Sequence, residues 1–185
     1  KQLFYSNVYD DLAFSLRNLN YSEEEIEIRV KKALEIVDGY ELRDRPTHFL
    51  SYGQKKRIAI AGVLVMDLDV ILFDEPTSGL DPYMTKEIKD IIKKLSREKK
   101  IVISSHDMDL IYEICDYVYV LRQGEILGEG LTQEIFLEKN LLTKAYLERP
   151  WLVKLHEELG LPLYKNENQL FKWKGDSYEK RNYSS

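Results

Sequence analysis

Apolar residues along the chain follow two spacings, one typical of helices and one typical of strands. Ser22-Glu23-Glu24-Glu25 has the form of a capping box, and apolar residues then recur at helical spacing up to Gly39. Ser51-x-x-Gln54 opens a second helix in the same way, and the pattern predicts that it runs to about Met66. Residues 70–73 form a continuous apolar run, which predicts a parallel strand covered on both faces. This alternation predicts an α/β fold.

The second half of the chain continues the alternation. Asp81 is expected to cap a helix with Pro82 in its first turn, the position that proline prefers, and a stripe of Met84, Ile88, Ile91, Ile92 and Leu95 to face the core. The remaining expected elements are a strand at 101–105, a helix at 107–115, a hairpin with strands 117–121 and 125–127 around Gln123-Gly124, and helices at 132–146 and 150–159, the last closed by Gly160.

Composition narrows the class of protein. The 185 residues are 44% hydrophobic and 32% charged, as in a soluble globular protein, and the length suits one domain. A net charge of −5 argues against binding to nucleic acid, and no apolar run reaches the roughly 18 residues of a membrane span. A single cysteine, Cys115, excludes an internal disulfide and fits a reducing compartment. The start at Lys1 is expected to be the interior of a longer chain, and residues 176–185 are expected to be disordered.

Two adjacent carboxylates follow the apolar run at 70–73. Asp74 and Glu75 therefore lie at the C-terminal end of a strand, where α/β folds place their chemistry. Adjacent side chains at a strand end point in different directions, so one carboxylate can hold Mg²⁺ while the other faces an attacking water, the two tasks that phosphoryl transfer requires. The simpler interpretation is a solvated acidic turn.

The segment Leu50-Ser51-Tyr52-Gly53-Gln54 places a helix N-terminus after a turn. Free backbone N–H groups and the positive end of the helix dipole suit a phosphate group. The simpler interpretation is that Ser51 and Gln54 only form a capping box, and both interpretations can hold together.

These motifs, in this order and spacing, resemble the second half of an ABC transporter ATPase. Leu50–Gln54 resembles the L-S-G-G-Q signature, with Tyr52 where that pattern has glycine. Asp74-Glu75-Pro76 resembles the Walker B end, and Ser78-Gly79-Leu80-Asp81 the D-loop. His106 resembles the switch histidine that senses the γ-phosphate. No G-x-x-x-x-G-K-[ST] phosphate loop occurs in the 185 residues.

The resemblance implies a role for each matching residue. Asp74 would belong to the magnesium shell and Glu75 would be the general base, while Ser51 and Gly53, with Gln54 nearby, would contact the γ-phosphate of ATP held by the opposite subunit. Asp81 would contact the nucleotide from the loop that crosses the dimer interface, and His106 would assist catalysis. Without the resemblance, His106 would be a helix-start residue. His48 and His156 have no such support and are interpreted as surface or packing residues.

A finer resemblance is to the ATPases of energy-coupling-factor importers, especially the cobalt type. It rests on Gln2-Leu3-Phe4, residues 8–14, the signature helix at 55–64 and the stretch 149–162. It implies a partial P-loop NTPase of the ABC class: residues 1–130 would be the ATPase part, with a helical subdomain at about 8–66 and a catalytic core part at about 67–130, and residues 131–175 a helical C-terminal extension. The Q-loop glutamine would precede Lys1.

The function implied is an ATP- and Mg²⁺-dependent hydrolase that drives import of a metal cation, with cobalt the first choice. A second ATPase subunit and transmembrane importer subunits would be its partners, at the cytoplasmic face of the membrane. Alternatives are an importer ATPase for another cargo such as a vitamin, a soluble ABC ATPase of DNA repair or translation, and a non-catalytic binding remnant. Retention of Asp74, Glu75 and His106 argues against the last. The 185 residues alone are expected neither to bind Mg-ATP tightly nor to hydrolyse it.

Overall fold

A computed structural model describes residues 7–173 of the chain. The described residues fall into two compact units that divide after Ser104. The Gln2-Leu3-Phe4 match and the expected disorder at 176–185 lie outside the described residues. The domain boundaries predicted near residues 66 and 130 stay predictions.

Three helices begin the first unit, and each starts at a side-chain cap. Helix α1 spans Val8–Asn18, α2 spans Glu23–Ile36 and α3 spans Tyr52–Leu64, with short 3₁₀ turns at Tyr40–Leu42 and Thr47–Phe49 between the last two. Both predicted capping boxes are present, Ser22 with Glu25 and Ser51 with Gln54. The helices pack pairwise on one another through buried apolar side chains: Val8, Leu12, Leu16, Ile26, Val30, Leu34 and Ile58.

A two-stranded parallel sheet follows the helices. Strand β1 (Val70–Asp74) pairs in register with β2 (Lys100–Ser104), so that Asp74 lies opposite Ser104. The connection is helix α4 (Pro82–Leu95), whose N-cap is Asp81 and whose buried residues are Ile88, Ile91, Ile92 and Leu95, as predicted. Met84 of the predicted stripe is only half-buried.

The prediction that residues 70–73 are covered on both faces is wrong in this structure. Burial alternates along β1: Ile71 is buried, whereas the Leu72 side chain is 75% exposed. On β2, Val102 is also exposed. An apolar run predicts burial on both faces only if other elements cover both, and the residues described here cover one.

Within the described residues, the second unit combines a hairpin with several helices. It contains α5 (Met108–Ile114), the antiparallel strands β3 (Tyr117–Arg122) and β4 (Glu125–Leu131), α6 (Thr132–Leu137), α7 (Lys139–Ala145) and α8 (Trp151–Leu159). The predicted turn is confirmed, because Gln123 and Gly124 both have positive φ. The helix predicted at 132–146 is instead two helices, since Glu138 has a ψ of 78°, outside the helical range.

Tyr112 is the largest buried side chain of the second unit. It packs edge-to-face against Phe136, with ring centroids 5.8 Å apart, and its hydroxyl donates to the Tyr164 carbonyl at 3.1 Å. Cys115, at the end of α5, is half-buried, and desolvation raises the pKa of its thiol to about 11. The thiol is therefore protonated at neutral pH.

Packing of α3 between its neighbours sets the stability of the first unit. Ile58 is fully buried there, whereas Ile28 on the outer side of α2 is 61% exposed. We expect Ile58→Ala to lower the free energy of unfolding by about 2–5 kcal/mol, because it leaves a cavity. The matched substitution Ile28→Ala should change it by less than about 1 kcal/mol. Urea unfolding followed by circular dichroism measures both, and equal losses would contradict this assignment of the core.

Candidate nucleotide and magnesium site

The N-terminus of α3 is built by a reciprocal pair of side chains. The Ser51 hydroxyl accepts from the Gln54 N–H at 3.2 Å, and the Gln54 side-chain oxygen accepts from the Ser51 N–H at 2.9 Å. The N–H groups of Tyr52 and Gly53 have no acceptor within the helix, as in the first turn of any α-helix. The capping interpretation of Ser51 and Gln54 is therefore confirmed, and two amides remain that suit an anion.

Gly53 is buried because a neighbouring side chain occupies the space above it. A Cβ built at Gly53 would lie 2.2 Å from Cε and 3.1 Å from Cγ of Met84 on α4. Any larger residue would displace the end of the Met84 side chain, so the glycine leaves room for Met84 against α3.

The two carboxylates at the end of β1 have different surroundings. The exposed Asp74 carboxylate accepts a short hydrogen bond from the Ser104 hydroxyl of β2. The half-buried Glu75 lies beyond the strand, where its N–H still donates to the Ser104 carbonyl at 2.9 Å. Its φ is +44°, a left-handed conformation that is uncommon for a residue with a side chain. The chain therefore turns at Glu75.

A tight turn leads from Glu75 into α4. The N–H of Ser78 donates to the Glu75 carbonyl at 3.2 Å, and Gly79 has a φ of +73°, which favours glycine. The Asp81 side chain accepts from the Met84 N–H at 2.9 Å and so caps α4. The predicted cap at Asp81 is confirmed, and its predicted contact with nucleotide stays a prediction.

Lys56 joins α3 to this turn. Its ammonium donates to the carbonyls of Ser78 at 2.8 Å, Pro76 at 3.0 Å and Glu75 at 3.4 Å. Partial burial lowers its pKa, against the opposing effect of the Glu75 carboxylate. The structure thus brings the helix opened by Ser51 together with the turn that holds Glu75.

Sequence reasoning missed three residues of this region: Lys56, Met84 in its contact with Gly53, and Ser104. Only Ser104 had a usable indication, because it lies near the end of the predicted strand 101–105, which follows the strand that carries Asp74.

His106 belongs to the second unit. It is exposed and lies between β2 and Asp107, whose side chain caps α5 by accepting from the Leu110 N–H at 2.9 Å. Its predicted position after a strand is confirmed, and its predicted role stays a prediction. Of the other histidines, His48 is exposed against Phe49, and the His156 ring contacts the Leu161 carbonyl.

The residues present fit Mg²⁺ and a phosphate group. Within residues 7–173, no three His, Cys, Asp or Glu side chains form a metal cluster. Mg²⁺ needs no such cluster, since it is commonly held by one or two carboxylates together with water and substrate phosphates. Asp74 provides one exposed carboxylate beside the Ser104 hydroxyl, and the first turn of α3 provides amides for a phosphate.

Comparisons with known proteins agree with these features. A protein-family profile described as "AAA domain, putative AbiEii toxin, Type IV TA system" matches residues 6–111. An ABC transporter ATP-binding protein of Listeria monocytogenes is 56% identical over 172 residues, and the cobalt import ATP-binding protein CbiO of Salmonella typhimurium is 51% identical over 172 residues. Each match covers 92% of this chain and 64% of the relative. ATP-binding proteins of energy-coupling-factor transporters also match.

A solved structure matches as well. CbiO1 of Clostridium perfringens, described as part of the ABC transporter complex cbiONQ, superposes with a TM-score of 0.70 at 42% identity. The match covers 84% of this chain and 63% of that one. The chain thus spans a little under two thirds of the length of these relatives, which agrees with the predicted partial P-loop NTPase. The AAA-type profile matches more than half of the chain, and the relatives that match 92% of it are ATP-binding proteins. The chain therefore belongs to the ATP-binding proteins of ABC transporters, and its relatives include proteins of the cobalt and energy-coupling-factor type.

Proposed function

We propose that the complete protein is the ATP-hydrolysing subunit of an energy-coupling-factor type importer. The observation that carries the proposal is the pairing of β1 with β2. This pairing sets Asp74 beside Ser104, and the chain leaves the sheet in a turn that begins at Glu75. Lys56 connects that turn to α3, the helix that begins after Ser51. A metal ligand, a candidate base and an anion-binding helix end thus belong to one unit.

Glu75 is the general base in this proposal. Its carboxylate would accept the proton of the water that attacks the γ-phosphate, while Asp74, oriented by the Ser104 hydroxyl, would hold the metal. Bound Mg²⁺ would neutralise charge on the phosphates during transfer. His106 would contact the same γ-phosphate.

Ser51 and Gly53 act on the partner subunit's nucleotide. The N-terminus of α3 would face the γ-phosphate of ATP held by a second ATPase subunit, with the amides of Tyr52 and Gly53 as donors and Gln54 fixing the cap. Asp81, which fixes the start of α4, would lie in the loop that crosses between the subunits.

Membrane subunits complete the importer. No helix within residues 7–173 is long and apolar enough to cross a bilayer, so in this proposal separate subunits provide the spans and the protein binds at their cytoplasmic face. Cobalt is the proposed cargo, on the strength of the CbiO relative, and a vitamin is the alternative. The 185 residues alone, whose sequence contains no lysine-bearing phosphate loop, would not turn over ATP.

Replacing the proposed base should stop hydrolysis while ATP still binds. We expect Glu75→Gln in the complete protein to lower kcat by about 10²–10⁴-fold, because it keeps the size of the side chain and removes its basicity. A closed dimer should then accumulate with ATP and be visible by gel filtration. The control is Glu98→Gln, the same change on an exposed side chain of the first unit. Monomers in ATP, or turnover close to that of the parent, would exclude Glu75 as the base.

Placing a negative charge at the start of α3 should prevent closure without unfolding the helix. Aspartate is a good N-cap, so Ser51→Asp should keep the melting temperature of the parent, whereas Ser51→Ala should lose about 0.5–2 kcal/mol of stability. We expect Ser51→Asp to bind ATP as a monomer and to lose most hydrolysis and dimerisation. Ser22→Asp makes the same replacement in the other capping box and should stay active.

Mixing the two variants tests whether Ser51 acts on its partner. A dimer of a Ser51→Asp chain with a Glu75→Gln chain keeps one sound composite site: Glu75 comes from the first chain and Ser51 from the second. The mixture should therefore hydrolyse ATP faster than either variant alone. Parent-level hydrolysis by Ser51→Asp itself would show that Ser51 is only a helix cap.

A further inference from the structure

Lys56 binds a cluster of backbone carbonyl oxygens in the turn that follows β1. Its ammonium has three donors, and the carbonyls of Glu75, Pro76 and Ser78 lie 3.4, 3.0 and 2.8 Å from it. Three carbonyls of the four-residue segment 75–78 thus bind one side chain, which belongs to α3. The path of the turn after β1 is therefore defined by a contact about 20 residues away in the sequence.

The residue held in this way has a disfavoured backbone. Glu75 has a φ of +44°, and the left-handed region is disfavoured for any residue with a Cβ. Such conformations persist where surrounding contacts over-determine them, and they occur often at functional sites. At Glu75 the contacts come from two sides: its N–H donates to Ser104 on β2, and its carbonyl accepts from Lys56.

The Tyr52 side chain, one helical turn before Lys56, lies close to the Lys56 ammonium. The Lys56 ammonium lies 5.7 Å from the centre of the Tyr52 ring, within the range of a cation–π interaction. A Cβ built at Gly79 would lie 3.5 Å from the Tyr52 hydroxyl, so the ring also borders the turn. The glycine of the L-S-G-G-Q pattern has no side chain and could make neither contact.

The two basic residues next to Lys56 on α3 do not bind the turn. Arg57 donates to the Asp38 carbonyl at 2.7 Å, at the end of α2, far from the carboxylates of β1. Within residues 7–173, Lys55 makes no hydrogen bond or ion pair with the turn. Consecutive residues of one helix therefore serve different segments, and Lys56 alone of these three reaches the carbonyl of Glu75.

We propose that Lys56 is a positioning residue for Glu75, holding the segment 75–78 in the conformation that aims the proposed base, and that the Tyr52 ring helps to hold the Lys56 ammonium in place. The proposal rests on the proposed function of Glu75. It predicts that loss of the ammonium misplaces the base without removing nucleotide contacts, so kcat falls while KM for ATP stays close to its starting value.

The test compares four variants of the complete protein. Lys56→Met keeps the length of the side chain and removes its donors, and Lys56→Arg restores a cation. Lys55→Met is the matched control for loss of charge, and Tyr52→Ala removes the aromatic ring. ATPase kinetics give kcat and KM, thermal melting gives stability, and hydrogen exchange measured by mass spectrometry reports on segment 75–80, with α2 as internal reference.

We expect Lys56→Met to lower kcat by about tenfold or more with KM within about twofold, and to speed exchange in segment 75–80 only. Lys56→Arg should recover part of kcat, Lys55→Met should match the parent, and Tyr52→Ala should lose less than Lys56→Met. A parent-like kcat for Lys56→Met would overturn the proposal. A lower kcat together with a higher KM and a lower melting temperature would also overturn it, because that result would indicate a purely structural role. A parent-like kcat for Tyr52→Ala would overturn the part concerning Tyr52.

Glu75→Gln measured in the same series separates this proposal from the one it rests on. If Glu75→Gln is inactive and Lys56→Met is unaffected, Glu75 remains the base and the positioning role fails. If Glu75→Gln is active, the proposed base fails, whatever Lys56→Met does.

Discussion

The parallel pairing of β1 with β2 is the interaction on which the candidate site depends. Its register sets Asp74 opposite Ser104, and the last bond of the ladder, from the Glu75 N–H to the Ser104 carbonyl, fixes the point where the chain leaves the sheet. The turn, the cap at Asp81 and the start of α4 follow from that point. A slip of one residue would exchange the positions of Asp74 and Phe73 and would turn Asp74, the proposed metal ligand, to the other face.

Features encoded by neighbouring residues could be predicted from the sequence. A capping box needs only residues three apart, so Ser22 with Glu25 and Ser51 with Gln54 were identifiable directly. The same holds for Asp81 before Pro82 and for the Gln123-Gly124 turn, where the local backbone demands particular residues. The carboxylates at the end of β1 were predicted on similar grounds, since strand ends follow from where an apolar run stops.

Features that depend on distant contacts could not be predicted in this way. Nothing near Lys56 in the sequence indicates that its ammonium reaches carbonyls some 20 residues ahead, and nothing near Gly53 indicates that Met84 fills the space above it. Glu138 interrupts a helix although no proline or glycine marks the break. The exposure of Leu72 is of the same kind, because burial depends on which other elements cover a strand.

The chemistry of Cys115 has a practical consequence for spectroscopy. With its thiol pKa raised to about 11, Cys115 carries on the order of a hundredfold less thiolate at neutral pH than an ordinary exposed cysteine. A maleimide dye or a nitroxide would therefore attach preferentially to a cysteine introduced at an exposed position such as Tyr83. Fluorescence or electron-spin probes could then be placed in this chain without first removing its native thiol.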